Sequence, residues 1–388
     1  MSAVVIDILG IGECMVELES SASFYDADQF NRRASGDVYN TLVAASKLGC
    51  LPSLLTNVAW DGFGKYLVDQ FKTYNIDTSL IKTVKKSRNG VYFISQADRG
   101  TSDHNFIYYR HDSAACSITP SQIPIDAFEQ IRVVYATGVT QALSRSARET
   151  VLRAFQMAKK QGCLVCYDPN YREALWGRAD EALDALTEVI GYVDVILPSV
   201  EDLKPLFNFP DVEKTLEYFR LRGVSLVALK QGADGVTLGF KNWQKHLPAP
   251  AVPKVVDTIG AGDAFNGGFL FGLVNAYSLE ECAHIGSIVA GECIKKAGPI
   301  EGLPDRITLN RLLAQAPSPE VSSPVLASLS VADAASQPQP QAQSSPESGA
   351  QPNEAPGQMV PEASETDRAE DAAGDEAAAT TSTVATQS

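Results

Sequence analysis

Short runs of Val, Ile and Leu alternate with longer amphipathic stretches along most of the chain, and this rhythm predicts its architecture. The apolar runs Val4–Ile11, Ser53–Val58, Val133–Gly138, Leu164–Asp168, Val193–Leu197, Ser225–Leu229 and Gly235–Phe240 read as strands covered on both faces. Between them, Tyr39–Leu48, Gly64–Tyr74, Ala147–Gln161, Glu181–Ile190, Lys214–Arg222, Gly262–Asn275 and Leu279–Lys296 carry apolar residues at helical spacing. Strand–helix alternation on this scale predicts an α/β fold, a mostly parallel sheet sandwiched between two helical layers.

Two regions break the rhythm. Glu13–Ala34 has no helical period. Arg88–Asp112 holds two alternating runs, Gly90–Gln96 and Asn105–Arg110, split by a turn-like Ala97–Asp103, as in a hairpin with one polar face. Together, residues from about 13–35 and 88–112 predict a small β-sheet lid on the α/β body.

Composition divides the chain more sharply than length does. From Gln315 onward there is no Phe, Tyr, Trp or Cys, and Ala, Ser, Pro, Gln and acids dominate. That stretch holds nine of the 21 prolines and eleven acids against one Arg, so most of the net charge of −15 belongs to it. It cannot bury enough apolar surface to offset the entropy of ordering its backbone. Residues 315–388 are therefore expected to be a disordered acidic tail, most simply a solubilising one, and residues 1–314 the globular unit. The globular part carries 31 basic and 36 acidic side chains, a balance that argues against nucleic acid or an anionic membrane as its main partner. No apolar run reaches the ~18 residues of a membrane span, and Met1–Gly12 lacks the features of a secretory signal. Seven scattered cysteines, an odd number, suit reduced thiols in a cytoplasm. Cys163 and Cys166 form a CxxC, but in a strand residues three apart face opposite ways, and the four histidines lack metal-ligand spacing.

The candidate chemistry lies in Val255-Val-Asp-Thr-Ile-Gly-Ala-Gly-Asp-Ala-Phe265, which reads as a strand turning into a helix. Gly260 and Gly262 allow a turn of bare backbone whose N–H groups converge at the helix N-terminus, where an anion is favoured. Asp263 would repel a bound phosphate unless it serves as the base for an attacking hydroxyl. Taken alone, the residues favour a plain turn with an acid stabilising the helix start. Ser35-Gly-Asp-Val-Tyr-Asn40 suits either a polyol site or a simple cap at Asp37.

Asp257-Thr-x-Gly-Ala-Gly-Asp-x-Phe resembles the C-terminal signature of the PfkB (ribokinase-like) carbohydrate kinases, and the likeness runs from residue 4 to about 304. It implies a ribokinase-like three-layer sandwich with a β-sheet lid, and ATP-dependent phosphorylation of a sugar. By this resemblance Gly260, Ala261 and Gly262 form the anion hole and Asp263 is the catalytic base. Gly36, Asp37 and Asn40 match the family's Gly-Gly-x-x-x-Asn segment beneath the sugar, with Ser35 replacing the first Gly. No Walker A sequence occurs, as expected for this family.

Gly12-Glu-Cys-Met-Val-Glu-Leu18, Gly90-Val-Tyr92, Tyr108-Tyr-Arg110 and Asp168-Pro-Asn-Tyr-Arg-Glu-Ala-Leu-Trp176 resemble one branch, the 2-keto-3-deoxygluconate kinases. That likeness assigns Tyr92, Tyr108, Arg110, Asn170 and Arg172 to an acidic sugar. A guanidinium matches a carboxylate bidentately, and Tyr108 shares a strand face with Arg110. For ATP the resemblance implicates Ser199, Lys230, Gly232, Gly235 and the glycine turn, with His284 flanking adenine. Asp202 would hold hydrated Mg²⁺, although Ser199 and Asp202 stand where the family has Asn-x-x-Glu. Asp257 would help bind a monovalent cation such as K⁺. The family often pairs through its lid, so the resemblance allows a homo-oligomer, but the sequence does not fix the oligomeric state, and any partner of the tail is not readable. Two alternatives remain: a kinase of a neutral sugar such as fructose or ribose, and a non-catalytic sugar- or nucleotide-binding regulator.

Overall fold

The computed structural model describes residues 6–95, 97, 106–207 and 211–323. The strands are β1 (Ile6–Ile11), β2 (Met15–Ser20), β3 (Asn31–Ser35), β4 (Pro52–Ala59), β5 (Ile81–Val84), β6 (Val91–Ser95), β7 (Phe106–Tyr109), β8 (Ile131–Thr137), β9 (Leu164–Asp168), β10 (Val195–Ile196), β11 (Leu226–Lys230), β12 (Val236–Phe240) and β13 (Trp243–Leu247). The helices are α1 (Asp37–Lys47), α2 (Gly62–Thr73), α3 (Gly138–Ala142), α4 (Arg145–Gln161), α5 (Glu173–Trp176), α6 (Ala179–Ile190), α7 (Val200–Leu203), α8 (Val212–Arg220), α9 (Ala261–Val274), α10 (Leu279–Cys293) and α11 (Arg306–Gln315).

Nine strands form one sheet in the order β13-β12-β11-β10-β9-β8-β1-β4-β5. Every pairing from β5 to β11 is parallel, and β12 and β13 close one edge antiparallel. Alternate residues of the central strands feed two apolar cores. Ile8, Val133, Tyr135, Cys166 and Val195 pack with α1, α9 and α10. Leu9, Val134, Val165, Tyr167 and Ile196 pack on the other face with α4, α6 and α8. Period-2 side-chain alternation thus turns continuous apolar runs into a three-layer sandwich. Helix starts are sealed by local chemistry: the Ser144 hydroxyl accepts from the Ala147 amide (3.1 Å), and Ser278 with Glu281 forms a capping box.

The irregular regions form a second, four-stranded sheet, β3-β2-β6-β7. β6 and β7 pair antiparallel, as the alternation predicted. Residues 98–103 of the expected turn, and residues 324–388 of the expected tail, lie outside the described residues. The described chain runs past the compositional boundary: α11 carries Gln315, and the Ser322 and Ser323 amides donate to the buried Glu280 carboxylate at 2.6 and 2.9 Å.

Some expectations need correction. Val255–Val256 is not strand; both side chains are largely exposed, and the Val256 amide donates to the Ile294 carbonyl beyond α10 (2.8 Å). Two valines favour a strand locally, but they pair with no strand among the described residues. β13 escaped notice because its inward and outward residues mix Trp, Gln, Lys, His and Leu. Its place is set by pairing with β12.

Candidate functional site

A cleft of about 1210 Å³ opens where the carboxyl ends of β9 and β11 meet the lid and the start of α9. That is the edge at which open α/β sheets bind ligands. Its floor is the turn before α9. Gly260 there has φ +75°, and a Cβ on it would come within 2.8 Å of Pro299 Cα, so glycine is required. The first intrahelical bond is Ala264 N–H to the Gly260 carbonyl (2.8 Å), and before it the Ala261 amide donates to the Thr258 carbonyl (3.2 Å), closing the turn. Thr258 through Asp263 line the cleft.

Asn40 Nδ2 donates to Asp263 Oδ2 at 2.9 Å, across 223 residues of sequence. Burial, and then the neighbouring Asp37 carboxylate, push the Asp263 carboxyl up to about 7, against the opposing pull of Asn40 and Lys230. A carboxylate poised there suits proton abstraction near neutrality. Asp37 does not cap α1; Gly36 holds the cap position. Its Oδ2 instead accepts from the Thr137 hydroxyl (2.6 Å) and Asn170 Nδ2 (3.0 Å). Burial raises its pKa, and its buried Oδ1 has no hydrogen-bond partner among the described residues. A buried acceptor without a partner, on a residue that lines the cleft, is a candidate for a sugar hydroxyl. Asn170 holds φ +35° and donates its amide to Asp168 Oδ1 (3.0 Å).

The lid wall carries Tyr92, Tyr108 and Arg110, and Tyr109 points elsewhere. Tyr92 and Tyr108 stack with centroids 5.4 Å apart, and the Tyr92 hydroxyl is held by Glu17. Both guanidiniums already face acids: buried Arg110 is ion-paired with Glu13, and Arg172 Nη1 lies 2.7 Å from Asp202 Oδ1. Ser199 caps α7 by accepting from the Asp202 amide at 3.0 Å.

On the opposite wall, Lys230 and Gly232 line the cleft but Gly235 does not. Gly235 (φ +103°) serves the backbone, since a Cβ there would sit 2.1 Å from the Leu247 carbonyl. His284 likewise lies outside the cleft lining, half-buried on α10, because one helical turn decides which face a residue presents. The Asp257 carboxylate closes the loop, accepting from Ile259 N (3.1 Å) and Gly298 N (2.9 Å).

Eight Asp or Glu residues line the cleft against four Lys or Arg, so a polyphosphate needs cations or amide dipoles to bind. No group of three or more His, Cys, Asp or Glu gathers as a metal cage among the described residues. The Asp202 carboxylate on the cleft wall fits the other mode, Mg²⁺ held by one acid with water and phosphate oxygens. Glu13, Asp168 and Asn266 went unassigned in the sequence. Asn266 stands one turn beyond Asp263, and that i, i+3 spacing was the available signal.

Comparison with known proteins identifies the family and the fold. The pfkB family carbohydrate kinase profile matches residues 6–306. The chain is 29% identical over 310 residues to an ATP-dependent 6-phosphofructokinase of Thermoanaerobacterium thermosaccharolyticum, covering 79% of this chain and 93% of that one. It is 25% identical over 312 residues to a 2-dehydro-3-deoxygluconokinase of Bacillus subtilis, covering 80% and 96%. Among solved structures, a fructokinase double mutant from Vibrio cholerae with fructose, ADP and potassium ion bound superimposes with TM-score 0.71 at 22% identity, covering 81% and 100%. The two-sheet, helix-covered architecture is common to both. No helix among the described residues is long and apolar enough to cross a membrane.

Proposed function

The chain belongs to the pfkB family of carbohydrate kinases, and from that premise we propose that it transfers the γ-phosphoryl group of ATP to the terminal (C6) hydroxyl of 2-keto-3-deoxy-D-gluconate. The product is the 6-phosphate. One observation carries the transfer chemistry: Asp263, with a carboxyl pushed up to about 7, stands in the cleft at the end of the Gly260–Gly262 turn.

In this reading Asp263 takes the hydroxyl proton as the oxygen attacks in line, and the amides of Gly260, Ala261 and Gly262 balance charge spreading over the phosphoryl oxygens. Gly36, Asp37, Asn40 and Asn170 hold the sugar hydroxyls. Tyr92 and Tyr108 cover the sugar and, with the lid, exclude water that would otherwise accept the phosphate. Arg110 and Arg172 take the carboxylate, each giving up part of its present acid partner. ATP lies along Ser199, Lys230 and Gly232. Bound with the nucleotide beside Asp202, Mg²⁺ supplies further neutralisation of the phosphates. Asp257 would help hold a monovalent cation such as K⁺. We assign catalysis to residues 1–314, with the acidic tail dispensable. Assembly is assigned to the outer lid face, where Phe30, Ile107 and Tyr109 are exposed.

The substrate assignment is supported by the relatives named 2-dehydro-3-deoxygluconokinase at 25–28% identity and by two arginines in one cleft. A second reading, a neutral sugar such as fructose, is favoured by a specific observation: both arginines already have carboxylate partners within the protein. A coupled phosphorylation assay over sugar acids and neutral sugars separates them. The sugar acid is expected to show the highest kcat/KM. Arg110→Ala and Arg172→Ala are each expected to raise its KM by roughly 10–100-fold, the worth of one charged hydrogen bond, and to spare a neutral sugar. A neutral sugar turned over best, or equal damage to both classes, removes the assignment.

A further inference from the structure

Among the cationic side chains that line the cleft, Lys230 borders the glycine turn. It ends β11 with its Nζ 2.7 Å from Asp168 Oδ2 and 3.1 Å from Asn266 Oδ1. A Cβ built on Gly262 would lie 3.7 Å from that Nζ, so the ammonium borders the first turn of α9. Its seat is rigid. Asn266, fully buried, donates to Asp168 Oδ2 (2.6 Å) and to the Tyr135 hydroxyl (3.0 Å). Asp168 is itself buried and anchors the Asn170 amide (3.0 Å). An ammonium has three donors. Asp168 and Asn266 engage two, and the third is free to meet a ligand oxygen in the cleft that Lys230 lines.

Charge explains why a cation is needed at this spot. A phosphoryl group crossing the turn passes among three carboxylates, Asp37, Asp168 and Asp263, all lining the same cleft. Amide dipoles alone face that combined negative field. We propose that Lys230 is a catalytic residue whose ammonium hydrogen-bonds the transferring phosphoryl group at the glycine turn, with Asp168 and Asn266 as its positioning residues. This rests on the reading of Gly260–Asp263 as the transfer site. No bond to lysine forms: the γ-phosphorus leaves its bridging oxygen on ADP and joins the sugar oxygen. The hydroxyl proton goes to Asp263, and no proton is exchanged with Lys230.

The groups around Asp263 supply a readout that a structural role would not move. Asp37 on α1 and Asp168 on β9 push its carboxyl up, and Lys230 pulls it down. Tyr135 on β8, Arg172 after β9 and Cys293 on α10 also feel its charge. Removing the ammonium therefore moves the acid limb of the pH–rate profile to higher pH.

The test uses the full chain with ATP and whichever sugar the panel turns over best. Lys230→Met is expected to lower kcat by roughly 10²–10³-fold, the loss typical of one charge-stabilising donor. The sugar KM should change less than about threefold, the acid limb should shift upward, and Lys230→Arg should recover part of kcat. Should Lys230→Met unfold because Asp168 is left buried and unpaired, Lys230→Met with Asp168→Asn restores neutrality and carries the kcat measurement, while its acid limb is expected not to rise because the upward push of Asp168 is lost with the ammonium. A folded Lys230→Met with wild-type kcat and an unmoved acid limb, or a folded double variant with wild-type kcat, overturns the proposal. Asp263→Asn run alongside separates the two layers: loss there with retention in the lysine variants sinks the lysine assignment alone. Retention in both sinks the transfer site as well.

Discussion

Asp263→Asn is expected to make the protein more stable at alkaline pH while abolishing its turnover. The carboxyl has an ordinary value of 3.8 and reaches about 7 in the folded chain. Between those values the unfolded chain has released this proton and the folded chain still holds it. Folding stability contributed by the group therefore falls as pH rises from about 4 to 7, and above 7 the ionised carboxylate is a constant cost. About three pK units at 1.36 kcal/mol each set an upper bound of ~4 kcal/mol. The carboxyl reaches a water-filled cleft, so solvent screening lowers this to about 2 kcal/mol, or a few degrees in Tm for a domain of this size. Asparagine keeps an oxygen for the Asn40 donor and carries no charge. Thermal unfolding of both proteins from about pH 5 to pH 8 should show a gap that opens with pH and levels off above 7. Turnover of the variant should fall by roughly 10²–10⁴-fold, and wild-type kcat/KM should rise with pH through about 7, since the base must be ionised. A gap that ignores pH, or a variant less stable at pH 8, would refute the strained-carboxylate argument. Undiminished turnover would separately refute the base.

Gly260→Ala should cost at least about 2 kcal/mol and most of kcat, because its φ is +75° and Pro299 occupies the Cβ position. Gly232→Ala (φ +59°), where nothing lies within 4 Å, should cost only ~1 kcal/mol; equal losses in unfolding experiments would contradict the steric argument. Deleting residues 324–388 leaves the Ser322 and Ser323 contacts to Glu280 in place. Truncated protein is expected to keep kcat and KM within about twofold, and a larger fall would give the tail a role in the reaction.

Much of this molecule could be read from order along the chain. Runs such as Leu164–Asp168 and amphipathic stretches such as Ala147–Gln161 carry their periods within a few residues, so strand–helix alternation survives without knowledge of neighbours. The lid's two sequence segments and the glycine turn were legible for the same reason, since backbone freedom at Gly260 is a local property. Other features depend on which strands lie side by side. Lys230 meets Asp168 because β9 and β11 flank the short β10, and Asn40 meets Asp263 because α1 packs on α9. The Arg110–Glu13 and Arg172–Asp202 pairs arise in the same way, and they leave both arginines less free than their sequence context suggested. Local spacing specifies what each side chain can do. The order of strands in the sheet specifies whom it meets, because electrostatic partnership acts over a few ångströms of space and takes no account of separation along the backbone.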